Sequence, residues 1–216
     1  MRPPFLSIVF AVSGGWLLCA CAHSTAEPDR QPAKEHAVMV TPESNPATDN
    51  PKRSAVEIGK RFLQLLEGLE SRDDLSLERV KSVLGVPLRR FDGTPDYLFA
   101  YNQPLDNGWY FSVRYISESP SLQRGLVLDF GKPGEGGGPI PADVCALDFD
   151  YYHNALKAMG FLAQQYYGEH NLFLDWRYTK FKKSDGTVDM TISIVQMAGN
   201  EPGHMCVKSI GTLNGR

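Results

Sequence analysis

Apolar residues recur at Ile58, Phe62, Leu65, Leu66 and Leu69, the i, i+4, i+7, i+8, i+11 series of one helical face. A second, shorter helix is predicted from the N-cap candidate Ser76, with Leu77, Val80, Val83 and Leu84 on its buried side and Gly85 as its stop. After Gly85 the period shortens. Strand-like stretches are expected at 87–91, 97–102, 109–116 and 125–130, and Asp106-Asn107-Gly108 between the second and third is a hairpin signal. In 109–116, alternation sends Trp109, Phe111, Val113 and Tyr115 to a core and leaves Tyr110, Ser112 and Arg114 outside.

The second half has the same rhythm. A helix is predicted from about Asp148, with Phe149, Tyr152, Leu156 and Met159 on one face and Gly160 at its end. Strands are expected at 161–166, 172–179, 188–195 and 205–213, with Ser184-Asp185-Gly186 as the matching turn. Val188, Met190, Ile192 and Ile194 alternate with Asp189, Thr191 and Ser193. Leu172, Leu174, Trp176 and Tyr178 are expected to face the helix, with Phe173, Asp175 and Arg177 outward. A shift of 75 residues lays Gly85 on Gly160, Phe91 on Tyr166, Gly93 on Gly168, Phe99 on Leu174 and Tyr101 on Trp176, which suggests a tandem repeat. The expected fold is therefore α+β, with two tandem units of short helices packed on an antiparallel meander sheet, one over 54–132 and one over 143–216. Five glycines and three prolines in 131–141 make 133–142 a Gly/Pro linker between them.

The N-terminal fifth follows neither period. Arg2, an apolar stretch over 5–18 interrupted by Ser13, Gly14 and Gly15, and small residues at its end describe a secretory signal, too short to span a bilayer. Its last residues, Leu18-Cys19-Ala20-Cys21, resemble a bacterial lipobox. That resemblance implies cleavage after Ala20, acylation of Cys21 and a protein held on a membrane by lipid alone. Cys19 is the competing site, but it would put Leu18 where signal peptidases take a small side chain, and an ordinary secretory signal cut nearby is the plainer alternative. Ala22 is not the aspartate that retains such lipoproteins at the inner membrane, so the resemblance implies an outer-membrane anchor facing the periplasm. Residues 22–53 hold no aromatic residue, no apolar period and five prolines, which reads as a disordered tether of about 30 Å mean span.

Without residues 1–20 the chain carries 21 basic and 25 acidic residues, a mildly acidic balance that argues against a nucleic-acid partner. Cys145 and Cys206 are the two cysteines left once Cys19 and Cys21 are set aside. In an oxidising compartment they are expected to pair, closing a loop of about 60 residues. Neither a Gly-x-Ser-x-Gly elbow nor a His-Glu-x-x-His pair occurs. His153, His170 and His204 share no ligand spacing, so no metal and no cofactor is expected. Asp148 and Asp150 read as helix-capping carboxylates rather than calcium ligands, and the glycines of 134–138 lack the Lys-Ser/Thr ending of a phosphate loop. No catalytic residue is assigned.

What remains is an outward set of Tyr110, Arg114, Phe173, Asp175 and Arg177, of the residue types in which protein interfaces concentrate their energy. Two units of about 75 residues, each helices followed by a meander, resemble the secreted β-lactamase-inhibitor proteins. Single units, through the helix-Gly-x-Pro ending of 77–88, resemble assembly-factor lipoproteins of the SmpA/OmlA type. The inhibitor's intra-unit disulfides have no counterpart here, so the resemblance implies a protein-binding sheet and not inhibition of a β-lactamase. The expectation is a non-enzymatic, lipid-anchored periplasmic protein whose partner is another protein. An immunity or inhibitor lipoprotein directed at a toxin or envelope hydrolase is the leading form, and an accessory lipoprotein of outer-membrane assembly the alternative.

Overall fold

A computed structural model describes residues 52–134 and 138–215. The signal, Cys21 and nearly all of the tether lie outside the described residues. Helix α1 (Ala55–Glu67) starts where the Ser54 hydroxyl accepts a hydrogen bond from the Glu57 N–H and buries Ile58, Phe62, Leu65 and Leu66. Helix α2 (Leu77–Leu84) is capped by Ser76 and ends at Gly85 with φ 63°, a left-handed position that a residue with a Cβ adopts at a cost. Helix α3 (Phe149–Ala158) is capped by Asp148, which accepts from the Tyr151 N–H at 2.9 Å.

The strands are β1 (Leu98–Pro104), β2 (Tyr110–Ile116), β3 (Gly125–Gly131), β4 (Leu162–Tyr167), β5 (Phe173–Phe181), β6 (Val188–Ala198) and β7 (Met205–Thr212). They form one antiparallel sheet of seven strands, ordered β1-β2-β3-β7-β6-β5-β4. The fold is α+β as expected, but the two halves are not alike. The first brings two helices and three strands, the second one helix and four strands. The stretch 87–91, expected as a strand, contributes only a bridge between Arg89 and Ala100. The halves are fused through β3 and β7, where Val127, Leu128 and Asp129 pair with Gly211, Ile210 and Ser209. Gly211 makes that junction possible, because a Cβ there would stand 2.8 Å from Val127 Cγ2.

The buried face of the sheet and the three helices share one continuous core, from Ile58 and Phe62 through Phe111, Val113, Leu126 and Leu128 to Tyr152, Tyr178 and Ile192. Helices α1 and α3 approach so closely at Gly59 that a Cβ there would meet the Tyr152 hydroxyl. Cys145 and Cys206 form a disulfide with Cα atoms 5.2 Å apart, tying the segment before α3 to β7. Two boundaries shift. Arg53 is buried, donating to the Gly85 carbonyl and bonding Gln103 through its backbone, so the packed body includes the last residue assigned to the tether. Ile140, within the expected linker, is fully buried and donates its N–H to the Ala198 carbonyl.

Candidate functional site

All three helices lie against one face of the sheet, and on the other face the strands' outward side chains can be read from the register. One row crosses all seven strands: Gln164, Arg177, Ser193, Gly211, Val127, Arg114 and Ala100 stand opposite one another in turn. Its middle three are small, and an arginine stands two strands to either side of Gly211. Four strand spacings of about 4.8 Å put Arg114 and Arg177 roughly 19 Å apart across this trough.

Each arginine is held by a carboxylate one residue pair away on the same face. Arg114 donates to Asp129 Oδ2 at 2.6 Å, from β2 to β3. Arg177 donates to Asp175 Oδ1 at 3.3 Å and lies over the Tyr166 ring, 3.1 Å from its centroid. Asp175 also accepts from the Ser193 hydroxyl at 2.7 Å, and its side chain is only 14% exposed. It therefore fixes Arg177 more than it meets anything outside.

A cleft opens beside each arginine. One, of about 690 Å³, is lined by Tyr110, Ser112, Arg114, Asp129, Lys132 and Lys208, with Trp109 and Met197 among its apolar walls. The other, of about 520 Å³, is lined by Arg72, Gln164, Tyr166, Arg177, Thr179 and Thr191. Of the five side chains proposed from sequence, the structure thus brings Tyr110 and Arg114 together in one cleft and places Arg177 in the second, with Asp175 supporting it. Phe173 is separate: its ring packs edge-on against Tyr167, 5.7 Å between centroids, toward the tip of the β4–β5 hairpin.

Leu172 and Leu174, expected in the core, are 64% and 45% exposed. The register explains this correction. Tyr166 pairs with Asp175 but Tyr167 pairs with Phe173, so Leu174 is the extra residue of a β-bulge and the alternation breaks there. Helix α3 covers β5 only as far as Trp176, whose ring lies 5.5 Å from Phe149 and 5.3 Å from His153.

Two further bulges carry residues that sequence reasoning missed. Lys180 pairs with Met190 and Phe181 with Val188, which leaves Asp189 as an extra residue, buried and accepting a hydrogen bond from the Arg72 N–H. Val195 pairs with Ser209 and Gln196 with Val207, which makes Lys208 the extra residue on β7. Arg72 sits in the turn between α1 and α2 and donates to the carbonyls of Asp189, Arg124 and Leu213 at 3.2, 3.3 and 2.9 Å, stitching β6, the approach to β3 and the end of β7 together. Among six acidic and basic residues in 70–79, no sequence signal marks it out.

His153 Nδ1 lies 2.9 Å from the Tyr178 hydroxyl. Burial, helped by Lys157, lowers the histidine's pKa, and burial raises that of the tyrosine. His204 Nε2 lies 3.3 Å from Asp148 Oδ2. Cys145 and Cys206 are both consumed by their disulfide, so neither is a free thiol or a metal ligand. Among the described residues, no group of three or more His, Cys, Asp or Glu side chains is placed to hold a metal ion. No helix among the described residues is long and apolar enough to cross a membrane. Comparison with protein-family models, with curated proteins and with solved structures finds no match to this chain.

Proposed function

We propose that this chain is a lipid-anchored periplasmic protein whose helix-free sheet face binds another protein. The single observation that supports the reading is that face itself: two arginines held in fixed poses by carboxylates, each beside a cleft, with small side chains between them. Immobilised arginines lose little side-chain entropy on binding, and arginine and tyrosine dominate interface energetics. Blocking a toxin or envelope hydrolase is the form of binding we favour, because a sheet face held out from a membrane by a tether can cover an incoming active site. The anchor in this proposal is the lipid on Cys21, and the site of action is the periplasmic side of the outer membrane.

The test is co-purification from solubilised envelope with full-length wild type, Tyr110→Ala and Arg114→Ala. Partners that disappear with both variants, at unchanged melting temperature, meet the expectation. A partner retained by both at wild-type affinity refutes this face as the site. Cys21→Ser settles the anchor separately, since normal processing and membrane fractionation of that variant is incompatible with lipidation there.

A further inference from the structure

We propose that strand β4 pairs, antiparallel and edge to edge, with β4 of a second copy of this chain, so that the two sheets become continuous. The contact is made by the backbone of the sheet edge; the side chains of Gln164 and Tyr166 also line the cleft beside Arg177, so the tests below read self-association and not partner binding.

The two edges of the sheet are treated differently. At β1 the Ala100 N–H and carbonyl are both taken by the Arg89 backbone, at 2.9 and 3.1 Å, and the strand ends in Pro104, which has no N–H to offer. Both devices block strand addition. Strand β4 has neither. Its sequence, Leu162-Ala163-Gln164-Gln165-Tyr166-Tyr167, contains no charge and no proline, the two residue classes that usually protect an exposed edge. Leu162, Tyr166 and Tyr167 are 65%, 39% and 43% exposed. A neutral edge is self-compatible, because a two-fold axis sets each residue type against its own strand and a charge near the axis would face its like.

The register follows from the ladder. Pairing with β5 is regular from Leu162 to Tyr166 and breaks between Tyr166 and Tyr167. The self-pairing that uses all five regular positions is centred on Gln164. It sets Gln164 against Gln164 on the axis and Leu162 against Tyr166 on either side, an aliphatic–aromatic pair of the kind that stabilises sheets. The exposed parts of Leu162, Tyr166 and Tyr167 amount to roughly 300 Å² per copy, below the size of a permanent interface, so the pair is expected to be weak and concentration-dependent.

A covalent trap suits a weak pair. In an antiparallel ladder, residues on the axis have Cα atoms about 5 Å apart, within disulfide range, whereas Leu162 and its own copy would be roughly 14 Å apart. Full-length protein carrying Gln164→Cys, Leu162→Cys, Tyr167→Cys or, on the opposite edge, Asn102→Cys is oxidised mildly and run on a non-reducing gel beside wild type. The expected result is a dimer at least ten-fold more abundant for Gln164→Cys than for the other three. Equal yields at all four positions indicate random collision and overturn the proposal, as does no dimer at Gln164. A Gln164→Cys adduct with a different protein overturns it too, because the edge then takes a foreign strand. Sedimentation of Gln164→Glu gives a second reading. The new carboxylate faces Arg177 within its own copy and its like across the axis, so the expected result is a stable monomer at concentrations where wild type self-associates. Wild-type-like association of Gln164→Glu rules the register out.

Discussion

Replacing Arg72 with methionine removes a side chain that ties three separate backbone segments together while keeping most of its apolar stem. Three hydrogen bonds from the guanidinium to backbone carbonyls are lost, at 3.2, 3.3 and 2.9 Å. Hydrogen bonds involving a charged group contribute about 1.5–3 kcal/mol each, and two of these three are long, which favours the lower end. The carbonyls are not sealed from solvent, since Arg72 lines two clefts through which water can replace part of what is lost. Asp189, buried at the bulge, keeps the Arg72 backbone N–H but loses its nearest cation. Taken together, the expected cost is about 3–5 kcal/mol, two to three such hydrogen bonds at the lower end of that range. With a urea dependence of about 2 kcal/mol per molar, the unfolding midpoint should fall by about 2 M with an unchanged slope. Arg72→Lys should recover little, because one ammonium cannot span three carbonyls. Adding Asp189→Asn to Arg72→Met should cost less than Asp189→Asn costs in wild type, the sign of coupling within one network. A midpoint for Arg72→Met within about 0.5 M of wild type refutes the reasoning, and the turn between α1 and α2 is then an ornament on the sheet.

How far the sequence could be read depended on whether each feature is local. Helices α1, α2 and α3 emerge at their expected places because Ser54, Ser76 and Asp148 cap them and their apolar stripes run at helical spacing. Strand β2 matches because its alternation is unbroken, and β6 matches over Met190, Ile192 and Ile194, whereas Val188, expected inward with them, is 55% exposed beyond the bulge. The bulges at Leu174, Asp189 and Lys208 were invisible, since alternation counts residues along one strand whereas a bulge is a property of the pair. For the same reason the trough could not be foreseen: Arg114 and Arg177 are far apart in the chain, and only the complete register places them in one row. The fusion of both halves through Gly211 is likewise a long-range pairing, and that glycine read only as part of a terminal strand. The disulfide was legible because elimination left two cysteines, an argument that needs no geometry.

Reducing or replacing the Cys145–Cys206 disulfide should destabilise the protein by about 4 kcal/mol, from the loop-closure entropy of a 61-residue separation, read as a fall in denaturation midpoint for Cys145→Ser/Cys206→Ser. An unchanged midpoint would show that the link adds nothing beyond the packed core. Ile192→Ala, at a fully buried site, should cost about 2–5 kcal/mol, while Leu174→Ala at its bulge should stay within about 1 kcal/mol; equal losses in thermal unfolding would contradict the bulge. The His153 pKa lies below its ordinary value because burial, and then Lys157, disfavour the charged ring, with Asp150 opposing them. The unfolded chain therefore binds more protons as pH falls through the region below about 6.5, and stability should decline there. His153→Gln should flatten that part of the stability–pH curve, and an identical slope in the variant would place the titration elsewhere.

The size of the outer face limits what can bind it. Six strand spacings make it roughly 29 Å wide, and the longest ladders, of seven paired residues, make it on the order of 20 Å long. That is on the order of 600 Å² on this side, short of the roughly 800 Å² per partner in a stable interface of ordinary size. A tight partner must therefore reach past the sheet to its rim. One end of the strands carries both hairpin turns, at its two corners: Asp106–Gly108 between β1 and β2, where Lys52 pairs with Asp106 at 3.3 Å, and Glu169–Asn171 between β4 and β5, beside the exposed Leu172. Both turns hold non-glycine residues in the left-handed region, Asn107 at φ 60° in one and His170 and Asn171 at 57° and 58° in the other. A partner centred on the small residues Ser193, Gly211 and Val127 would meet both arginines and both turns together, whereas one centred on either cleft would meet only half of them. The symmetric placement of Arg114 and Arg177 about Gly211 therefore favours a convex partner seated across the trough over one held in a single cleft.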